Sequence, residues 1–226
     1  MIIWKLLLGD LKFQAIYGFY WLYGIVTVFY AAVLLLLPQE WRGKVAVAMI
    51  YSDPAALGLI FMGAIILLEK SQRVLDALVV SPAKVSDYLM AKVGSLCLIS
   101  VVAAFFLALI AEVENLFMIV TATAITSLIF SLLGLIIGAK INSLNHYLFA
   151  IVPIEIICFV PPLIYLFKPF PWLSWHPLCG AIALINGSSS TLSYDFSRLL
   201  LLLVLLFIVA KKITVKMWKS LGGVSI

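Results

Sequence analysis

The chain has 226 residues, 65% of them hydrophobic and 11% charged, with a mean hydropathy of +1.21 and a formal net charge of +5. That composition excludes a water-soluble enzyme or nucleic-acid-binding module and describes an all-α integral membrane protein, in which an excess of cations sets orientation in the bilayer. At about 20 residues per span, the polar breaks allow six transmembrane helices in one integral domain, 1–226, with no soluble domain attached.

Residues 1–14, MIIWKLLLGDLKFQ, mix Trp4, Leu7, Leu8, Leu11 and Phe13 with Lys5, Asp10 and Lys12. They read as an interfacial helix and carry no small-residue cleavage site of a signal peptide. A first span follows from about Tyr17 to Leu37, with seven aromatics between Tyr17 and Tyr30. These aromatics suit interfacial anchoring and core packing, and Tyr20, Tyr23 and Tyr30 are also candidates to line a substrate path. Pro38 to Lys44 is expected as an outer loop. Asp53 then caps a helix that begins at Pro54 and runs to Leu68, a short span unless Val45 to Tyr51 extends it.

Glu69 to Lys92, EKSQRVLDALVVSPAKVSDYLMAK, is the longest charged interval and holds seven of the 25 Asp, Glu, Lys and Arg residues. Val74, Leu75, Leu78 and Val79 follow helical spacing, while Glu69, Lys70, Gln72, Arg73 and Asp76 fill the other face. The pattern predicts an amphipathic surface helix supported by a Glu69–Arg73 pair four residues apart. Ser81 and Pro82 end it and are expected to cap the next helix.

A third span is expected over Val93 to Ala111, then an acidic turn at Glu112, Glu114 and Asn115, and a fourth span over Leu116 to Ala139 whose small residues suit close helix packing. Lys140 to His146 is an inner loop, and a fifth span from Tyr147 to Phe167 is expected to be broken by Pro153, Pro161 and Pro162. Residues 168–195 contain an apolar run, Leu178 to Ile185, too short to cross a bilayer and therefore read as an outer re-entrant or interfacial hairpin. The last span covers Tyr194 to Ala210. Eleven cations (Lys5, Lys12, Lys70, Arg73, Lys84, Lys92, Lys140, Lys211, Lys212, Lys216 and Lys219) fall on one side against Arg42, Lys44, Lys168 and Arg198 on the other. This places both termini in the cytoplasm of a multi-pass cell-membrane protein.

The search for chemistry is mostly negative. No G-x-x-x-x-G-K-[ST] phosphate loop is present, so ATP use must come from a partner. Cys97, Cys158 and Cys179 lack metal-ligand spacing, and His146 and His176 are isolated; no catalytic or metal site is expected. Ser188 to Ser190 with His176 is the sole hint of a nucleophile and base. Glu155 lies well inside a predicted span, where a carboxylate finds a partner, faces water or takes up a proton.

The surface helix carries a resemblance. Glu69, Leu75, the Leu78-Val79-Val80 run, Ser81-Pro82 and Lys92 match the E-x(5)-L-x(2)-L-x(2)-[ST]-P pattern of permease subunits of type-2 ATP-binding-cassette exporters, and the similarity of layout spans essentially the whole chain. The family's usual Gly-Thr-Leu-Glu is Arg73-Val74-Leu75-Asp76 here. Compact chains of this kind are similar to the drug-export branch that includes fluoroquinolone exporters. The resemblance implies a transport subunit without its own nucleotide site, moving a hydrophobic or amphiphilic drug, lipid or peptide outward. It implies docking of cytoplasmic ATPase subunits, which hold ATP and Mg2+, through Glu69, Arg73, Asp76, Leu78, Ser81 and Pro82. It also implies a second permease copy, identical or not, with a substrate path between the two, lined by the first, second and fifth spans and passing near Glu155. The alternatives are a membrane assembly or immunity protein that moves nothing and an intramembrane enzyme.

Overall fold

The computed structural model describes residues 2–52, 57–113, 115–189 and 191–222, and all regular structure among them is helical. The helices are α1 (Ile2–Ile16), α2 (Phe19–Leu36), α3 (Gln39–Ser52), α4 (Leu57–Ser71), α5 (Val74–Val79), α6 (Val85–Ile110), α7 (Leu116–Lys140), α8 (Leu144–Phe167), α9 (Pro177–Ile185) and α10 (Leu192–Gly222). Among the described residues, five stretches are long and apolar enough to cross a membrane: Phe19–Leu36, Gln39–Ser71, Val85–Ile110, Leu116–Lys140 and Leu144–Phe167.

Gly18 separates α1 from α2 by adopting φ 78°, a left-handed conformation that glycine enters without a Cβ penalty. The expected outer loop after α2 shrinks to a turn at Leu37 and Pro38, because the carbonyl of Pro38 accepts from the amides of Trp41 and Arg42 and starts α3 at once. The predicted cap at Asp53 and helix start at Pro54 lie outside the described residues. So do Glu114 of the acidic turn and Ser190 of the serine run.

The prolines do not break α8. A proline lacks the N–H that would bond the carbonyl four residues back, and for Pro162 that carbonyl belongs to Cys158. The buried hydroxyl of Tyr51, from α3, donates to the Cys158 carbonyl at 2.7 Å and satisfies it. Phe130 and Phe159 meet the same tyrosine ring edge-on, so the helix continues across a site that its own backbone would leave open. Beyond α8, a 3-10 turn at Pro171–Trp175 leads into α9, whose residues from Leu178 to Ile185 are all buried. The expected hairpin is therefore a plug in the bundle. The last helix runs unbroken through Lys211, Lys212, Lys216 and Lys219.

The centre of the bundle is the packing of α4 on α7. Small residues let these helices approach closely: a Cβ on Gly138 would lie 3.2 Å from the Cα of Gly63, and a Cβ on Gly63 would strike the ring of Tyr147. Tyr147, fully buried, enters this notch from α8 and donates its hydroxyl to the Leu59 carbonyl. Lys70 closes the end of the seam, its ammonium donating to the carbonyls of Gly138 and Ala139 at 2.9 Å and of Ile141 at 2.7 Å. A cation on the last carbonyls of α7 also opposes the negative end of that helix's dipole.

Gly63→Ala inserts a methyl group into the Tyr147 ring, and overpacking of this kind costs about 1–3 kcal/mol. The thermal midpoint of the purified protein should fall, and Tyr147→Ala in the same chain should recover part of the loss. Strictly additive effects of the two substitutions would show that the residues do not meet.

Candidate coupling site and substrate groove

The lysine-rich end of the bundle is built around a buried charge. Lys92 lies two turns inside α6 with 2% of its surface exposed, and its ammonium forms ion pairs with Asp10 of α1 and Glu69 of α4. A buried lone ammonium would be prohibitively costly, so the pairing is obligatory. Tyr88, one turn earlier on α6, donates its hydroxyl to the other oxygen of Glu69 at 2.8 Å. Gln14 of α1 donates to the Ser95 hydroxyl at 2.7 Å, and the Lys92 ammonium stands 5.8 Å from the centre of the Phe13 ring. One polar cluster thus ties α1, the end of the second apolar stretch and the start of the third.

Its geometry corrects the expected surface helix. Glu69 does not share an outer helix face with Arg73: it belongs to α4, points inward and is 4% exposed, where the Lys92 ammonium is its partner. The chain breaks after Ser71, and Arg73 caps α5 with φ 57°, a left-handed conformation that disfavours a side chain. This is the position where the resembling permeases carry glycine. The backbone explains that preference. Helix α5 itself has six residues, with Leu75 buried among Tyr88, Met217 and Trp218, and Leu78 and Val79 packed beside them.

The outer surface of α5 presents Arg73, Asp76, Ala77, Val80 and Pro82 to solvent. Ser81 does not cap α6, which begins at Val85 with Lys84 before it. Its hydroxyl instead donates to the Leu78 carbonyl at 2.7 Å and accepts from the Ala83 amide at 3.3 Å, closing the turn after α5. The Tyr88 ring meets that of Trp218 at a tilt, 5.6 Å between ring centres, so the lysine-rich tail of α10 reaches the same cluster.

The substrate-path candidates separate. Tyr20 and Tyr23 line an apolar groove between α2 and α6, and the Tyr23 ring meets Phe61 edge-on at 5.2 Å. Tyr30 packs, half-buried, against the main core. Glu155 is half-buried in a different groove of about 370 Å3, shared with Ser52 of α3, Ile60 of α4 and Phe159 of α8 and lined by no residue of α2. Within one chain the carboxylate and the tyrosines do not meet.

A second polar cluster, missed by the sequence reading, lies at the far end. Arg198 pairs with Asp195 and donates to the Ser174 carbonyl, and the Ser189 hydroxyl donates to Asp195 at 2.8 Å. It fastens α10 to the plug that precedes it. The one sequence signal was the i, i+3 spacing of an acid and a base at a helix start. His176 sits nearby, and burial together with the Arg198 charge holds its imidazole below the ordinary value. Among the described residues, no group of His, Cys, Asp and Glu could hold a metal ion. The sequence's nucleophile hint gains nothing, since Ser189 donates to a carboxylate.

A profile of the fluoroquinolones export permease protein family matches residues 2–219. The chain is 28% identical over 167 residues to the fluoroquinolones export permease protein Rv2687c of Mycobacterium tuberculosis (strain ATCC 25618 / H37Rv). The same figures hold for the fluoroquinolones export permease protein MT2761 of Mycobacterium tuberculosis strain CDC 1551 / Oshkosh, and in both cases the alignment covers 72% of this chain and 70% of the relative.

Burial raises the Asp10 carboxyl from 3.8 to about 6, with Lys92 opposing the rise and the charge of Glu69 adding to it. Because the folded state holds this proton more tightly than the unfolded chain, stability should fall as pH rises from about 4 to about 6 and level off above. Asp10→Asn should flatten that slope in thermal unfolding across the window. An unchanged slope would remove Asp10 from the cluster.

Proposed function

Because the chain belongs to the fluoroquinolones export permease protein family, we propose that it is the membrane-spanning subunit of an ATP-binding-cassette exporter, moving an amphiphilic, drug-like substrate outward. Separate cytoplasmic ATPase subunits supply ATP, Mg2+ and the driving force. The observation that carries this reading is α5: a six-residue helix held on the bundle by Leu75, with Arg73, Asp76, Val80 and Pro82 turned outward at the lysine-rich end. A short surface helix seated on a rigid base suits the receipt of force from a docked partner. Leu78 and Ser81 fix its exit, and Glu69 acts from below by holding Lys92.

In this reading α10 supplies the sixth span, and the eleven cations put both termini on the cytoplasmic side. A second permease copy completes the path. The exposed apolar face of α8, with Phe149, Val152, Ile156 and Val160 around the Glu155 groove, is the surface offered to it. Glu155 then meets the substrate across that seam, and a half-buried carboxylate there favours a cationic or zwitterionic amphiphile.

Arg73→Gly relieves the left-handed backbone and should keep the complex intact, whereas Arg73→Glu reverses an exposed docking charge and should abolish permease-stimulated ATP hydrolysis without unfolding the chain. If Arg73→Glu retains normal stimulation and complex yield, docking does not use α5. If no ATPase co-purifies with the wild-type chain, the protein assembles with or protects something else and moves nothing.

Glu155→Gln preserves size and hydrogen bonding but removes the anion. Transport of cationic substrates should fall several-fold while that of neutral ones holds. Equal transport of both classes per folded complex, with reduced yield, would assign Glu155 to packing alone.

A further inference from the structure

The groove between α2 and α6 has a volume of about 610 Å3, and neither the proposed docking surface nor the Glu155 seam uses it. Its walls are apolar along nearly their whole length: Val28 from α2 faces Val102 and Phe106 from α6, and Leu11 of α1 closes the lysine-rich end. Water would find almost nothing to bond there. Helix α2 is also weakly held, since Tyr23 and Leu34 are the buried side chains given to it by the bundle, while Trp21, Ile25, Val28 and Phe29 stay largely exposed.

Three features identify the occupant. The groove follows α6 from Leu98 to Ile110, a rise of roughly 18 Å along the helix, close to the ~15 Å half-thickness of a bilayer's hydrocarbon core. It begins at α1, which lines it with Leu11 and carries Lys5 and Lys12 exposed seven residues apart on one helix face. Its width comes from small residues: a Cβ on Gly24 would meet nothing within 4 Å. We infer that this groove holds one acyl chain of an anionic phospholipid from the leaflet on the lysine-rich side, its phosphate at Lys5 and Lys12, as a resident part that seats α2 on α6. The tyrosines Tyr20 and Tyr23 then line a lipid site and not a substrate path.

The test uses the purified full-length chain, stripped of lipid in detergent, with phosphatidylglycerol or phosphatidylcholine added back. Retained lipid is counted by native mass spectrometry alongside the thermal midpoint. Wild type should retain one phosphatidylglycerol per chain, gain several degrees on add-back and prefer it over phosphatidylcholine roughly tenfold, a preference that Lys5→Ala with Lys12→Ala should erase. Gly24→Leu fills open space and suits a helix, so it should fold with a midpoint no lower than wild type, lose the retained lipid and ignore add-back. Unchanged lipid retention in Gly24→Leu overturns the site. Equal binding of both lipids to wild type overturns the anionic headgroup, and a Gly24→Cys disulfide between two copies would show that a second permease fills the groove instead. No readout involves transport, so these outcomes are independent of the proposed export function.

Discussion

An ammonium buried in a membrane protein must be matched by anions, and Lys92 is matched by two. The requirement fixes more than one contact. Asp10 brings α1 onto α6, Glu69 brings the end of α4, and Tyr88 links Glu69 to Trp218 on α10. Helix α5 rests on this assembly through Leu75. Removing Lys92 would leave buried carboxylates uncompensated, at a cost of about 3–5 kcal/mol, so the elements at this end are bound to one another more tightly than their short helices alone would allow.

The rest of the bundle divides by packing. The α4 and α7 seam, notched by Gly63, Gly134 and Gly138 and filled by Tyr147, is rigid because its small residues leave no slack and Lys70 seals its end. Helix α2 lies outside this block, while α8 sends Tyr147 into it and turns its other side outward; both show broad apolar faces. Helix α5 is seated on the bundle through Leu75 beside Tyr88 of the charge cluster, whereas α2 and the outer side of α8 present exposed apolar surface. Pro153, Pro161 and Pro162 weaken the backbone of α8 without breaking it, and Tyr51 holds the one freed carbonyl that the core reaches.

Most of the fold was legible because apolar run length and loop polarity are local signals. The helical class and the long apolar helices follow from them, whereas the run from Leu178 to Ile185, read as an outer hairpin, is buried in the bundle. What was not legible depends on residues distant in sequence. Glu69 and Arg73 have the spacing of a helical pair, yet Lys92, 23 positions along, outcompetes Arg73 because its burial demands an anion. A lysine at the start of an apolar run was the available clue. Proline reads as a break until a tyrosine from another helix supplies the missing donor, as Tyr51 does. The resemblance set Arg73 at a glycine position, but the left-handed backbone that explains a glycine there shows only in its φ of 57°. Tyr20, Tyr23 and Glu155 were grouped by chemistry, whereas helix rotation sends them into separate grooves.

The central claim is that Lys92 locks α1, α4 and α6 into one base beneath α5. The direct measurement is the distance distribution between spin labels at Lys12→Cys on α1 and Asp76→Cys on α5, both exposed, in a chain freed of Cys97, Cys158 and Cys179. With Lys92 present the distribution should be narrow. Lys92→Met should broaden it while a control pair across α6 and α7 stays narrow; an unchanged α1 to α5 distribution in that variant would contradict the account.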